Sequence, residues 1–190
     1  TFTSFASGVS ETTFAVLRFK GMEAISTPYE FEIMLVSGDP DLDMSAILQS
    51  QAVFTIHRDS GDDVAYNGIL AEFDQLHAYN EHYFYRAKLV PKIWWLMQTQ
   101  HNQVFLDKTV PEIIEGALVD GGMDSLDYDL SALEGTYNPV EYVCQYGESH
   151  FNFVSRWLER EGVYYYFYHD VEGDKLVLSD SSFSHEPFKH

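Results

Sequence analysis

Residues 29–37 read YEFEIMLVS, and the run alternates: Tyr29, Phe31, Ile33 and Leu35 fall on one side, Glu30, Glu32 and Met34 on the other. Successive side chains of a pleated strand point to opposite faces, so a period of two marks a strand with one face buried. The same rhythm precedes it in TFAVLRFKG, where Ala15, Leu17 and Phe19 share a face. It continues in AVFTIHR, VAYNGILAEF and HYFYRAKLVP, with Tyr83, Tyr85, Ala87 and Leu89 opposite Arg86 and Lys88. Turn-forming residues separate the runs at Lys20-Gly21, at Ser37-Gly38-Asp39-Pro40 and at Asp59-Ser60-Gly61-Asp62-Asp63. Strands in such close succession predict an antiparallel sheet that closes into a β-barrel, over residues 1–98. One short helix is expected at Met44–Leu48.

The period changes near residue 109. Thr109 and Glu112 have the spacing of a capping box, and Pro111 is tolerated in a first helical turn. Val110, Ile113, Ile114, Ala117 and Leu118 follow at helical spacing, and Gly121-Gly122 stops the helix. The polar stretch from Met123 to Asn138 reads as loop with one short strand. A second helix starts at a Ser149 cap, carries an apolar stripe of Phe151, Val154 and Leu158 broadened by Phe153 and Trp157, and ends at Gly162. VYYYFYH and KLVLSD then make a hairpin about a turn at Glu172-Gly173-Asp174; its first strand is apolar on both faces and is expected to be covered on both. The predicted fold class is mainly β with an α+β insertion: an antiparallel β-barrel, a helix-containing segment over residues 99–162, and a β-hairpin over 163–190.

Net charge narrows the partners. Eleven Lys and Arg against 30 Asp and Glu leave a formal charge of −19, which opposes nucleic-acid binding through phosphates and docking on an anionic membrane. No apolar run approaches the roughly 18 residues that span a bilayer, so no stable membrane insertion is expected, and the N-terminus has no signal-peptide pattern. Cys144 is the single cysteine, which forbids an internal disulfide; among apolar neighbours it reads as a small core residue.

Residues with chemical potential have structural explanations. The eight His show neither a helical i,i+4 pair around a Glu nor a Cys-pair partner, so no metal site is read from their spacing. Asp39, Asp41 and Asp43 alternate like a calcium loop but lack its Gly and its closing Glu; a loop leading into a capped helix accounts for them. Glu148, Glu159 and Glu161 invite a glycosidase reading. Two carboxylates must face one cleft for that chemistry, whereas Glu159 and Glu161 are two apart on a helix and diverge, and Arg156 and Arg160 stand where ion pairs form. There is no nucleophile elbow, phosphate-binding glycine loop or dinucleotide fingerprint. No catalytic, cofactor-binding or metal residue is assigned, and no cofactor is expected.

Residues 141–170, EYVCQYGESHFNFVSRWLEREGVYYYFYHD, resemble the signature of the VgrG family, the spike proteins of type VI secretion. The likeness rests on Glu141, Tyr142, Gln145, Tyr146, Glu148, Ser149, Phe153, Arg156, Glu159, Glu161, Gly162, Tyr164, Tyr165 and Phe167. FKGMEAISTPYEFEIMLVS, the Gly68-Ile69 pair, YRAKLVPKIWWL with VFLDKTVPEIIEGAL, and KLVLSD extend it along nearly the whole chain. Gly147 departs from a usual Arg, His150 from a usual Asp, Trp157 from a usual Leu, and Gln103 from a commonly basic residue.

The resemblance implies a part similar to the contractile-phage baseplate hub. It implies a homotrimer whose paired barrels match an Hcp-like hexameric tube ring, with a downstream spike or needle domain and effectors as further partners. Residues 163–190 would then begin a second barrel that this chain does not complete, as in a fragment of a longer protein. The expected role is mechanical and non-enzymatic: assembly in the bacterial cytoplasm, then secretion by the apparatus to puncture a target envelope. A contractile phage or prophage tail hub is the alternative, and a carbohydrate-active enzyme a remoter one.

Overall fold

The computed structural model describes residues 1–48, 50–170 and 173–181. Six strands make the first sheet: β1 (Phe2–Ser4), β2 (Ala15–Ala24), β3 (Thr27–Ser37), β4 (Gln51–Ile56), β5 (Val64–Tyr79) and β6 (His82–Val90). Their order is β1-β4-β5-β6-β3-β2, antiparallel throughout. The register sets Phe31 against Leu89, Ile33 against Ala87 and Leu35 against Tyr85, so the alternating apolar residues line one face. That face curls around Phe2, Phe54, Leu70 and Ile47, the last supplied by the short helix α1 (Met44–Leu48). Asp43 accepts the Ala46 N–H at 3.0 Å, so the acidic loop does cap this helix. The expected antiparallel sheet takes the form of a half-barrel with β1 and β2 as its edges.

Strand β2 departs from the expected facing. Leu17 and Phe19 are 54% and 47% exposed. The ladder to β3 shifts between Val16 and Arg18 and leaves Leu17 out of register, while Phe19, paired with Ile33, meets Phe54 at the open edge of the sheet with ring centroids 4.9 Å apart. In the middle of the sheet the backbones crowd at Gly68, where a Cβ would stand 2.4 Å from the Val90 carbonyl oxygen and 2.7 Å from the Tyr29 hydroxyl. Only a residue without a side chain fits there.

A 3-10 helix, Lys92–Met97, leads into a second core, to which it contributes Ile93 and Leu96. Strands β7 (Gln100–Lys108) and β9 (Val140–Ser149) form an antiparallel ribbon. Between them come helix α2 (Val110–Asp120) and β8 (Tyr128–Ala132). After them come helix α3 (His150–Glu161), β10 (Tyr164–His169) and β11 (Asp174–Ser179). The capping box of α2 is complete: Thr109 Oγ1 accepts the Glu112 N–H, and Glu112 accepts the Thr109 N–H at 2.8 Å. The single strand expected within Met123–Asn138 is β8, and it lies parallel to β11 in a sheet of order β10-β11-β8. Residues 99–162 therefore carry three strands beside their two helices. Of the expected hairpin turn, Glu172 lies outside the described residues.

β10 touches both cores. Phe167 packs against each, and its ring meets Tyr29 edge-on with centroids 5.1 Å apart. Asn67 donates its backbone N–H to His169 Nδ1 at 3.2 Å and its amide to the Asp170 carbonyl at 2.9 Å. The Ser26 N–H donates to the Tyr165 carbonyl at 2.8 Å.

Candidate functional site

The signature segment folds as ribbon strand, helix and hairpin strand, and its residues divide into three groups. The first holds the fold together. Gln145 is fully buried, accepts from the Gln103 amide at 2.7 Å and donates to the Glu148 carbonyl at 3.0 Å. Ser149 caps α3 by accepting the Asn152 N–H at 3.1 Å, and Gly162 closes it with φ +72°, a left-handed conformation that L side chains resist. Phe153 is buried between them and stacks on Phe105, while Tyr165 is buried in the same core. Tyr164 donates to the Ser181 carbonyl at 2.7 Å, and Phe167 spans the two cores.

The charged group forms ion pairs. Arg156 grips Glu148 with two N–H groups, at 2.7 and 3.2 Å, and reaches the Cys144 carbonyl at 3.3 Å. A bidentate guanidinium–carboxylate pair of this kind fixes the entry of α3 against β9. Arg160 approaches Glu161 at 3.5 Å. Glu159 and Glu161 project from exposed turns of α3, and Glu148 is occupied by its Arg, so the structure does not bring these carboxylates together in a cleft.

Glu141, Tyr142 and Tyr146 belong to a third, outward group. Alternation on β9 turns Tyr142 and Tyr146 away from the core, and β7 presents Val104 and Leu106 beside them, paired with Cys144 and Tyr142. Their exposures run from 50% at Val104 to 83% at Tyr146. Cys144, expected inside the core, is half-buried because it lies on this same outward face. Exposed neighbouring apolar residues of this kind mark contact surfaces more often than isolated ones do.

Beside the ribbon, three elements converge. His101 of β7, Asp120 at the end of α2 and His150 at the start of α3 place one ligand atom each within 4.8 Å of the others. His150 is 1% exposed, and burial together with the neighbouring His101 lowers its pKa, against the opposing pull of Asp120. No local spacing connects these three residues; only the pairing of β7 with β9 and the packing of α2 on α3 brings them together.

Residues 22–190 match the family model described as phage tail baseplate hub (GPD). The chain is 33% identical over 169 residues to the type VI secretion system spike protein VgrG1b of Pseudomonas aeruginosa, which covers 89% of this chain and 22% of that protein. It thus spans about a quarter or less of the length of the curated relatives it matches. Among solved structures it superposes on the Escherichia coli c3393 protein, a type VI secretion component with structural similarity to the T4 tail proteins gp27 and gp5. That match has a TM-score of 0.87 and 25% identity, over 98% of this chain and 51% of that one. The 43 kDa tail protein of prophage MuSo2 from Shewanella oneidensis shares the fold, with a TM-score of 0.62 and 16% identity over 94% of this chain and 52% of that one. The chain belongs to the phage tail baseplate hub family, and within that family it is similar to the VgrG-type spike proteins.

Proposed function

We propose that this chain is the hub segment of a type VI secretion spike, a non-enzymatic part that associates as a trimer, docks on an Hcp-like hexameric tube ring and carries a downstream needle and effectors. The observation that carries the reading is the 33% identity to a type VI spike protein along 89% of the chain. The geometry agrees with it. Polar residues of the signature are engaged in caps and ion pairs, and its outward aromatics continue an apolar strip on the ribbon. We place the contact between copies on that strip, at Val104, Leu106, Tyr142 and Tyr146, because interfaces of obligate oligomers bury aliphatic and aromatic surface. The spike assembles inside the cell and leaves through the apparatus; among the described residues no helix is long and apolar enough to cross a membrane.

Light scattering on the chain and on the full product of its gene tests this. The full product should have the mass of three protomers, and Leu106→Asp with Tyr142→Asp should lower it to one. A monomeric full product overturns the trimer, and a trimer that survives both substitutions moves the contact elsewhere. A prophage tail hub is the second reading, favoured by the fold shared with the Shewanella tail protein. Reading the gene beyond the His190 codon separates the two: a lysozyme-like domain assigns the chain to a phage tail, a strand-repeat needle to a secretion spike.

A further inference from the structure

Two imidazoles and one carboxylate converge at the junction of β7, α2 and α3. His150 is 1% exposed, yet neither ring nitrogen has a hydrogen-bond partner. Its Nε2 lies 3.2 Å from Asp120 Oδ2, out of line for N–H donation. Buried polar atoms without partners are rare in folded proteins and call for an explanation. The His101 ring lies 3.8 Å from that of His150, centroid to centroid, with planes 30° apart. On the far side of His101, Nε2 is 2.7 Å from Thr99 Oγ1. With Nε2–H donating to that hydroxyl, Nδ1 presents its lone pair toward Asp120 Oδ2, 4.0 Å away. An imidazole whose second nitrogen is held by a hydrogen bond is the usual state of a metal-ligating His.

Asp120 adds an independent argument. It is the last residue of α2, where the helix dipole disfavours a carboxylate. Among the described residues its ion-pair partners are the two His, with no Lys or Arg. A cation between Asp120, His101 and His150 would answer the helix end, the carboxylate and the unpartnered imidazole together.

We propose that His101, Asp120 and His150 form a binding site for a divalent transition-metal ion of the zinc, cobalt or nickel class. Two imidazoles with one carboxylate suit these ions rather than magnesium or calcium, which prefer all-oxygen ligands. Ligand atoms of a tetrahedral zinc stand about 3.3 Å apart. The 3.2 Å between His150 and Asp120 already matches this spacing. The two remaining pairs, His101 with Asp120 and His101 with His150, lie within 4.8 Å and would close by small movements of the His101 and Asp120 side chains, 33% and 56% exposed. A fourth ligand would come from a water or from a group of another molecule. The ion would clip β7 to both helices behind the apolar ribbon face.

The test uses the untagged whole chain, stripped with chelator and titrated with zinc by calorimetry, and with cobalt by its visible d–d absorption. The expected result is one ion per chain at micromolar affinity, a tetrahedral cobalt spectrum and a raised melting temperature on loading. His101→Ala and Asp120→Asn alter exposed groups and leave the circular dichroism unchanged; each should weaken binding at least about tenfold. His57→Ala, at a second His–carboxylate pair, should leave binding unchanged. Absence of stoichiometric binding overturns the proposal. So does binding that persists in both site variants, or a loss of equal size in His57→Ala.

Discussion

His169 joins the second half of the chain to the first at a single nitrogen. Its Nδ1 accepts the Asn67 backbone N–H, so protonating that nitrogen removes the bond, and Nε2 is buried with no partner. Burial is the main cause that pushes its pKa from 6.5 down to about 4. Between those values the unfolded chain binds more protons than the folded one, so stability rises with pH. This contribution is complete above about pH 6.5, is lost as the pH falls to about 4, and amounts to about 3 kcal/mol. Urea denaturation of the wild type and of His169→Gln should show the difference: the variant should lose about 3 kcal/mol less between neutral pH and about pH 4. Parallel losses in the two proteins would exclude His169 as the source. The sequence offered no sign of this role, because His169 looks like the polar end of an aromatic strand until Asn67, far away in the chain, is placed against it.

Elements were legible where the local rule was also the deciding one. The alternation of β3 and β6 survives in their buried faces because both lie inside the sheet. The same alternation misled at β2, an edge strand with a shifted ladder, where pairing on only one side leaves register weakly determined. Helix α3 was legible at both ends, from Ser149 and Gly162, since caps are local hydrogen-bond chemistry. The parallel pairing of β8 with β11 was not, because partners such as Tyr128 and Leu176 lie far apart in the chain and no local spacing connects them. The cap yields a direct expectation. Ser149 is 6% exposed, and Ser149→Ala leaves the Asn152 N–H without its acceptor. The variant should lose about 1 kcal/mol in denaturant titration, with the slope unchanged. A loss near zero would mean that water or Glu148 replaces the hydroxyl.

At the scale of the molecule, the signature divides between holding two cores together and facing outward. Its aromatic residues looked alike in sequence; only the fold separates Tyr165 and Phe167, turned inward, from Tyr142 and Tyr146, turned to solvent. The His101–Asp120–His150 group belongs to this scale too, since its three members come from three elements. The described link between the cores includes the rings of Phe167 and His169 against Tyr29, His169 against Tyr66, the Asn67 bonds to His169, Asp170 and Gly173, and the Ser26 bonds to Tyr165. Two cores joined in this way unfold as one only while the link costs more to break than the less stable core costs to unfold. Among the described residues, Phe167→Ala removes the one hydrophobic side chain that packs against both. A half-buried ring of this kind should cost about 2–3 kcal/mol, below the range for a fully buried Phe. The larger expected effect is on cooperativity. Fluorescence of the three Trp, Trp94, Trp95 and Trp157, all on the second side of the link, should then follow a different transition from that of the backbone signal of the first sheet. Coincident transitions in Phe167→Ala would show that the His169 ring contacts and the hydrogen bonds of Asn67 and Ser26 suffice to couple the cores, and the hub segment would then behave as one cooperative unit without the Phe167 ring.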